Sequence, residues 1–309
     1  MKNLKNLHSL SIQLDDWFAK LTRNSRVESF NLPSNTIAPK LFVKRDDLIH
    51  PFISGNKLRK LKYNIIAAME SGCSGILTYG GAFSNHLLAT AAAGKELGIS
   101  VIGCVRGEEL SSESNALLKR CYDMGMDLQF ITRTAFLQEK YTSGKKMIND
   151  QCYWVIPEGG ANREGVQGCT EIVGELETVF DYYMLAQGTT TTSVGLLLSI
   201  PENSKLIVVP VLKGFDVLGE MKKVLNDDAL FDVLQSKLII WDHAHHGGYA
   251  KTSPELIQFI DDFHQVNSFQ IEPVYTGKVM YAFAENHHLL NTNSENLAVL
   301  FIHTGGILH

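Results

Sequence analysis

Lys57 is the first residue whose type and position could do chemistry. It follows the Gly55-Asn56 pair in the segment SGNKLRKL and opens a stretch with helical spacing of apolar residues. A Lys at a helix N-terminus opposes the helix dipole, and Arg59 and Lys60 bring further positive charge, so the ammonium is predicted to lose its proton easily. A neutral Lys amine is a nucleophile that can form a Schiff base with a carbonyl group. The alternative interpretation is a basic, solvated first turn.

The segment YGGAFSNH (residues 79–86) joins a predicted strand to a predicted helix. Open α/β sheets bind ligands at such positions, and a helix N-terminus attracts anions. Ser84 or Asn85 can cap the helix. Neither G-x-S-x-G nor G-x-G-x-x-G is present, which argues against a nucleophile elbow and a dinucleotide fingerprint. Helix capping alone is the alternative, and it leaves Asn85 and His86 unexplained.

A run of hydroxyl residues follows Gly188, from Thr189 to Ser193, between a predicted strand and an apolar helix. Hydroxyl and backbone N–H donors at a helix N-terminus form a cradle for an anion. No Lys follows the Gly, so the segment is not a nucleotide P-loop, and a single phosphate group fits better than a triphosphate. The alternative is an ordinary capped helix.

Two tyrosines stand beside small residues in separate loops. Tyr249 lies in the segment GGYAK, and Tyr275 precedes Thr276 in the segment VYTGK, at the start of a predicted helix. A solvent-facing Tyr is the default interpretation of each. Their value as candidate site residues depends on the resemblance described below.

A cluster of histidines, His243, His245 and His246, raises the question of a metal site. Zinc would need a third or fourth ligand at a defined spacing, and the sequence offers none nearby. We therefore predict no bound metal and interpret the segment as a polar loop.

Composition limits the classes of function. The chain has 309 residues, which suits two globular domains or one domain with a large insertion. Its net charge of −5 and 45% hydrophobic residues give no reason to expect nucleic acid or a membrane as partner. No apolar run approaches the length of a transmembrane helix, and the N-terminus lacks the apolar region of a signal peptide. The 5 cysteines form no C-x-x-C and are expected to be reduced thiols. We therefore expect a cytoplasmic protein.

The elements that must position these residues alternate between strands and helices. Apolar, β-rich runs predict strands over 41–45, 75–79, 100–105, 128–132, 153–156, 182–186, 205–211, 237–241 and 297–303. Helical spacing predicts helices over 56–71, 85–97, 113–124, 134–148, 162–176, 215–225 and 254–263. Alternation of this kind indicates an α/β protein with parallel sheets covered by helices.

Taken together and in order, these segments resemble the pyridoxal-phosphate enzymes of the tryptophan-synthase-β fold group (fold type II), in the branch of D-cysteine desulfhydrase and 1-aminocyclopropane-1-carboxylate (ACC) deaminase. The matching stretches are KRDD, SGNKLRKL, GGAFSNH, IPEGGAN, the Gly188 loop, PVYTGK and HTGG, and they span Lys44 to Gly306. The resemblance implies two open, twisted parallel-sheet domains. Residues 47–158 would form the small domain, and residues 1–46 plus 159–309 the large domain that binds pyridoxal 5'-phosphate. It also implies a homodimer.

The same resemblance implies roles for single residues. Lys57 matches the lysine that holds the cofactor covalently. Ser84 and Asn85 match the pair beside the substrate carboxylate and the cofactor ring, with His86 in the same substrate-binding segment. The implied phosphate-binding residues are Gly188, Thr189, Thr190, Thr191 and Thr192. Relatives commonly carry small residues where Thr190 and Thr191 stand, and a Thr forced to positive φ would be strained.

The implied roles continue in the C-terminal part. Tyr249 and Tyr275 match the two active-site tyrosines of the branch, and Thr276 matches the residue that faces the pyridine nitrogen. ACC deaminases carry Glu at this position, where a carboxylate keeps the ring protonated and strengthens the electron sink. Thr is a weaker partner and is adequate when a good β-leaving group departs.

The sequence therefore predicts a lyase that acts on a small amino acid, like D-cysteine desulfhydrase, and forms pyruvate, ammonia and sulfide. Three alternatives stay open. The chain could be an ACC deaminase, or a pyridoxal-phosphate enzyme that acts on another small amino acid. It could also bind the cofactor or a small molecule without turnover, because fold alone does not determine function.

Overall fold

The apolar runs predicted as strands form two separate sheets, with helices packed against each. The computed structural model describes residues 2–33, 39–290 and 297–306. The strands are β1 (Val27–Ser29), β2 (Lys40–Lys44), β3 (Gly75–Gly80), β4 (Ser100–Arg106), β5 (Asp127–Ile131), β6 (Gly144–Ile148), β7 (Gln151–Ile156), β8 (Tyr182–Gln187), β9 (Lys205–Pro210), β10 (Leu238–Ile240) and β11 (Ala298–Ile302).

The α-helices alternate with these strands along the chain. They are α1 (Lys2–Thr22), α2 (Asn56–Glu70), α3 (Asn85–Leu97), α4 (Ala116–Asp123), α5 (Arg133–Glu139), α6 (Arg163–Gly174), α7 (Thr191–Ser199), α8 (Val217–Leu225), α9 (Asp228–Leu234), α10 (Pro254–Val266) and α11 (Thr276–Asn286). Short 3₁₀ turns lie at Asp46–Leu48, Glu158–Gly160, Gln235–Lys237 and His287–Leu289. No helix in the described part of the chain is long and apolar enough to cross a membrane.

The chain divides into two compact units. Unit 1 comprises Met1–Arg23 and Ile49–Cys169, and unit 2 comprises Asn24–Leu48 and Thr170–His309. Unit 1 holds a 5-stranded sheet in the order β5-β4-β3-β7-β6, parallel except for β6. Unit 2 holds a 6-stranded sheet in the order β1-β2-β11-β8-β9-β10, parallel except for β1. The predicted α/β class is confirmed.

The N-terminal segment differs from the predicted division, which placed residues 1–46 with the C-terminal half. Helix α1 lies in unit 1 instead, because its side chains Leu14, Phe18 and Leu21 join the buried cluster formed with Leu58 and Leu61 of α2. This burial removes the apolar stripe of α1 from water. Cofactor binding by the predicted large domain remains a prediction.

The predicted helix over 134–148 is wrong in its second half. Helix α5 ends at Glu139, and β6 then pairs antiparallel with β7, with Ile148 opposite Gln151. The turn between them places Asn149 and Asp150 at positive φ values of 47° and 62°. Asn and Asp tolerate that conformation, and two such residues in succession are typical of a tight hairpin.

The prediction that every cysteine is reduced is also wrong. Cys73 and Cys152 form a disulfide, with their Cα atoms 4.5 Å apart. The reason is the parallel pairing of β3 with β7, which sets Gly75 opposite Tyr153. This register brings Cys73, just before β3, close to Cys152 in β7. Cys104, Cys121 and Cys169 are buried thiols.

Candidate active site

Lys57 stands in the first turn of α2, immediately after a backbone reversal at Gly55. The φ and ψ angles of Gly55 are 62° and −139°, a conformation that is open to Gly and strained for other residues. The Lys57 ammonium donates a hydrogen bond of 2.8 Å to Oδ1 of Asn56. Removal of water by the surrounding chain, followed by the positive charge of Lys60, lowers the pKa of Lys57 to about 7. A substantial fraction of the amine is therefore neutral near pH 7.

The basic residues after Lys57 are buried, so the alternative of a solvated first turn is wrong. Arg59 and Lys60 are each only 1% exposed. Burial lowers the pKa of Lys60 to about 8. The sequence indicated the charge of this turn, but the neighbours that cover it come from distant parts of the chain.

Ser84 is the N-cap of α3, as the capping interpretation predicts. Its hydroxyl accepts a hydrogen bond of 3.3 Å from the backbone N–H of Leu87. The next residue, Asn85, has a buried side-chain oxygen with no hydrogen-bond partner among the described residues. A buried acceptor without a partner is costly, so its presence beside the head of a helix indicates a site for a donor group.

His86 lies one residue further into α3 and is 2% exposed. Its Nε2 is 2.9 Å from Oγ1 of Thr78, while its Nδ1 has no partner in the described chain. Burial, followed by the charges of Lys57 and Lys60, lowers the pKa of His86 to about 3. The imidazole is neutral over the physiological range. Lys57 and His86 thus belong to one electrostatic cluster in unit 1.

The predicted phosphate loop lies in unit 2, between β8 and α7. Thr190, Thr191 and Thr192 are buried, and Thr189 is exposed. Thr190 occupies the N-cap position with φ −81°, and no Thr of this loop has positive φ, so the strain expected there does not arise. A Cβ on Gly188 would lie 3.1 Å from Cε1 of Tyr275, a close approach that favours Gly.

Two buried polar atoms of this loop lack partners among the described residues. They are Oγ1 of Thr191 and Nε2 of Gln187. Ser193 donates to Gln187, with Oγ 2.6 Å from Oε1, which leaves the amide nitrogen of Gln187 as an unused donor. Together with the N–H groups of the first turn of α7, these atoms offer donors to an anion.

The two predicted tyrosines lie together in unit 2. The rings of Tyr249 and Tyr275 are edge to face, with centroids 6.1 Å apart. Tyr249 is 49% exposed, whereas Tyr275 is half-buried. Burial first, and then the hydroxyl of Tyr249, raise the pKa of Tyr275 well above its usual range. Thr276 is fully buried in the first turn of α11.

Two residues without a role predicted from the sequence organise this region. The buried Lys278 donates hydrogen bonds to the carbonyl oxygens of His245 (2.9 Å) and Gly248 (2.7 Å), and so holds the loop before Tyr249. Glu272 accepts hydrogen bonds from the backbone at the start of α11. Lys278 belongs to the motif VYTGK, which was a signal for it. No sequence motif indicates Glu272, because its contact with the start of α11 depends on the direction of its side chain.

The histidine loop has ordinary polar contacts. Nδ1 of His246 is 3.1 Å from Oγ of Ser253, and Nε2 of His243 is 3.3 Å from Nδ2 of Asn286. Within the residues that the structure describes, no group of three or more His, Cys, Asp or Glu side chains is arranged to hold a metal ion.

The predicted site residues therefore form two groups, one in each unit. Unit 1 contributes a nucleophilic amine at Lys57 and a buried, unpaired acceptor at Asn85. Unit 2 contributes unpaired donors at Thr191 and Gln187. The complementary groups are an aldehyde for the Lys57 amine, a ring hydroxyl for the Asn85 acceptor and a phosphate for the donors at Thr191 and Gln187. Taken separately, the residues of each unit fit a part of pyridoxal phosphate, which carries all three groups.

Comparisons with known proteins agree with this chemistry. The family described as pyridoxal-phosphate dependent enzyme matches residues 21–305. A protein of Pyrococcus horikoshii named "Putative 1-aminocyclopropane-1-carboxylate deaminase" is 31% identical, with 89% of this chain and 86% of that protein covered. The D-cysteine desulfhydrase of Klebsiella pneumoniae is 28% identical, with 93% of this chain and 95% of the relative covered.

Solved structures point the same way. The crystal structure of an ACC deaminase homologue is 26% identical and superimposes with a TM-score of 0.74, covering 94% of each chain. An L-serine ammonia-lyase from Rhizomucor miehei is similar in fold, with a TM-score of 0.65 at 14% identity, over 92% of this chain and 94% of the other. From the family match, the relatives and the chemistry of its residues, the chain belongs to the pyridoxal-phosphate dependent enzymes of fold type II, in the group that includes ACC deaminase and D-cysteine desulfhydrase homologues.

Proposed function

We propose that this enzyme catalyses β-elimination on a D-cysteine-like amino acid. One water molecule is consumed, and the products are pyruvate, ammonia and sulfide. The observation that supports the proposal is the residue type at the head of α11, where Thr276 and not a carboxylate stands at the position that the family resemblance pairs with the ring nitrogen. A thiolate is a good leaving group, so its departure demands less electron withdrawal than the opening of a cyclopropane ring.

Lys57 is proposed to hold the cofactor and to move the Cα proton. When bound, pyridoxal phosphate attaches the substrate amine covalently and withdraws electrons from Cα. With a pKa of about 7, the Lys57 amine can attack as a nucleophile and can also accept a proton near neutral pH. Lys60 supports this state because its charge opposes protonation of Lys57.

The head of α3 is proposed to bind the substrate and one edge of the cofactor. The hydroxyl of Ser84 and the first N–H groups of the helix suit the substrate carboxylate. The unpaired oxygen of Asn85 suits the ring hydroxyl. His86 is neutral, so its Nδ1 can accept a hydrogen bond from a ligand. A neutral imidazole does not attract the substrate carboxylate by charge.

The loop of Gly188, Thr189, Thr190, Thr191 and Thr192 is proposed to bind the phosphate. Thr191 and Gln187 supply side-chain donors, and the first turn of α7 supplies backbone donors. Gly188 suits the site because its backbone passes close to Tyr275.

The tyrosine pair is proposed to protonate the leaving sulfur. The raised pKa of Tyr275 keeps its phenol protonated at neutral pH, so it can donate a hydrogen bond to the leaving sulfur, but the same shift makes it a weaker acid. Tyr249 is more exposed and contacts the ring of Tyr275, so it can relay a proton to it. We also propose, from the family resemblance, a homodimer.

ACC deaminase is the second candidate function. It is favoured by the name of the Pyrococcus horikoshii relative, which is 31% identical over 288 residues. A different small amino acid, or binding without turnover, would give further outcomes of the same experiment.

The test is product analysis with purified, cofactor-loaded protein. D-cysteine, L-cysteine and ACC are supplied separately, and pyruvate, sulfide and 2-oxobutyrate are measured. We expect pyruvate and sulfide from D-cysteine alone. The Lys57→Ala variant should release neither product. Release of 2-oxobutyrate from ACC would establish the second candidate instead. If no substrate reacts while the cofactor stays bound, the named substrate is wrong, and inertness toward a broad amino-acid panel would indicate a binding protein.

A further inference from the structure

His50 closes the loop that leads into α2. Its Nδ1 lies 3.1 Å from the backbone nitrogen of Phe52 and 3.0 Å from that of Ile53. Both backbone groups are donors, so Nδ1 is the bare, accepting nitrogen of the ring, and the proton of the neutral imidazole is on Nε2. Asn and Asp side chains close turns in the same way, by accepting hydrogen bonds from N–H groups a few residues further along the chain.

The other ring nitrogen of His50 is held by a carboxylate from α3. Its Nε2 donates to Oε1 of Glu96 over 2.8 Å, and the indole N–H of Trp17 in α1 donates to Oε2 of Glu96 over 2.9 Å. Glu96 stands in the last turn of α3, where the helix dipole opposes a negative charge, so the two donors offset an unfavourable position. A carboxylate on Nε2–H fixes the tautomer of the ring and makes Nδ1 a stronger acceptor.

The loop that His50 closes runs directly into the first turn of α2. Ile53 is fully buried, in the same apolar cluster as residues of α2. The chain then reverses at Gly55, and the N–H of Lys57 donates back to the carbonyl oxygen of Ser54 over 3.4 Å. A displacement of Ile53 would therefore move the turn from which Lys57 starts.

We propose that His50 is a positioning residue for Lys57. Held by Glu96, its Nδ1 fixes the loop that presents the Lys57 amine. The proposal rests on the proposed function in one respect, the role of Lys57 as the residue to which pyridoxal phosphate attaches. His50 acts through the backbone and requires no contact with the cofactor. A nucleophile that is misplaced by about 1 Å reacts far more slowly, so a small shift of this loop is enough to slow attachment.

The test measures covalent attachment of the cofactor to the full-length protein. Protein freed of cofactor is mixed with pyridoxal phosphate, attachment is followed by absorbance, and borohydride reduction then makes the bond permanent so that peptide mapping identifies the modified lysine. The wild type should be modified at Lys57.

Two substitutions of His50 introduce the same amide group at different reach. The Asn side chain of His50→Asn places an oxygen where Nδ1 stands, whereas the longer Gln side chain of His50→Gln does not. We expect attachment at Lys57 to slow about tenfold or more in His50→Gln and to stay within about threefold of the wild type in His50→Asn. Glu96→Leu removes the acceptor of Nε2–H, and attachment should slow by about threefold or more.

Thr132→Ala is the matched control. It also removes a side-chain acceptor of a backbone N–H in unit 1, that of Ala135 in α5, and we expect attachment at the wild-type rate. Equal rates in His50→Gln and His50→Asn would overturn the proposal, as would a wild-type rate in Glu96→Leu. A His50→Gln protein that loses thermal stability but attaches the cofactor normally would also overturn it, because His50 would then only stabilise the fold.

The same experiment separates this proposal from the proposed function. Modification of the wild type at a lysine other than Lys57 would reject the role of Lys57 and this proposal with it. Attachment requires no amino-acid substrate, so inactivity toward D-cysteine would reject that substrate and leave the role of His50 standing.

Discussion

The imidazole of His86 donates a hydrogen bond to the hydroxyl of Thr78, with Nε2 and Oγ1 2.9 Å apart. Thr78 directs its single hydroxyl hydrogen to the carbonyl oxygen of Ile156, also at 2.9 Å. Its oxygen can therefore only accept from His86, which assigns the proton of the neutral imidazole to Nε2 and leaves a bare lone pair on Nδ1. No described residue partners Nδ1, so it is available to a ligand.

The first prediction concerns the pH dependence of stability. The pKa of His86 falls from 6.5 in the unfolded chain to about 3 in the folded protein, so the unfolded state binds more protons below pH 6.5. Stability is then fully present above that pH and is lost as the pH falls. Between about pH 7 and pH 5 the free energy of unfolding should fall by roughly 2 kcal/mol on account of His86. Urea denaturation of the wild type and of His86→Gln measures this fall. Equal losses of unfolding free energy in both proteins would show that His86 does not cause it.

A second prediction concerns the electrostatic coupling of Lys60 to Lys57. Replacement of Lys60 by Met removes a positive charge that lowers the pKa of Lys57, so that pKa should rise above about 7. At pH 7 fewer amines are neutral, and we expect covalent attachment of pyridoxal phosphate to slow by roughly 3- to 10-fold. The rate of reconstitution is followed by absorbance across the pH range. Lys62→Met, in the same helix, is the control, and identical pH profiles for the two variants would show that Lys60 has no such effect.

The two roles of Ser84 can be separated by a third experiment. Ser84→Ala removes the cap of α3 and should cost about 1 kcal/mol of stability, whereas Ser84→Asp keeps a capping oxygen. A carboxylate there repels the substrate carboxylate, so Ser84→Asp should keep its melting temperature and lose substrate affinity. Thr132→Ala removes the comparable cap of α5 and should lower stability with no change in KM. If Ser84→Asp kept a normal KM, the substrate carboxylate would bind elsewhere.

A fourth prediction follows from the Cys73–Cys152 disulfide. The pair is separated by 79 positions in the sequence, and cross-linking a loop of that size restricts the unfolded chain by about 4 kcal/mol in the chain-entropy model. Reduction, or the Cys73→Ser/Cys152→Ser double variant, should lower the free energy of unfolding by up to this amount. Urea denaturation with and without reductant measures it, and the double variant should not respond to reductant. Titration of all cysteines as thiols in the unreduced protein would disprove the bond.

Much of the fold was predictable because its signals are local. The strands around Leu77 and Ile207 are apolar on both faces, as buried parallel strands require, and they lie where the sequence predicts them. Helix α3 begins and ends at the predicted residues, since Ser84 caps one end and Gly98, at φ 68°, terminates the other. The second half of the predicted helix over 134–148 failed because pairing with β7, and not local propensity, decides that segment.

By itself, the sequence determined which residues could do chemistry and in what order they stand along the chain. Lys57, the Ser84 segment, the Thr loop and the VYTGK motif are set by residue type and spacing, which are local properties. The tertiary structure alone decided the chemical states of these residues. Removal of water lowers the pKa of Lys57, Ile156 directs the hydrogen of Thr78, and Glu272 orients Thr276. Desolvation and hydrogen-bond direction depend on which atoms surround a group. Those atoms are determined by tertiary packing and by side-chain direction.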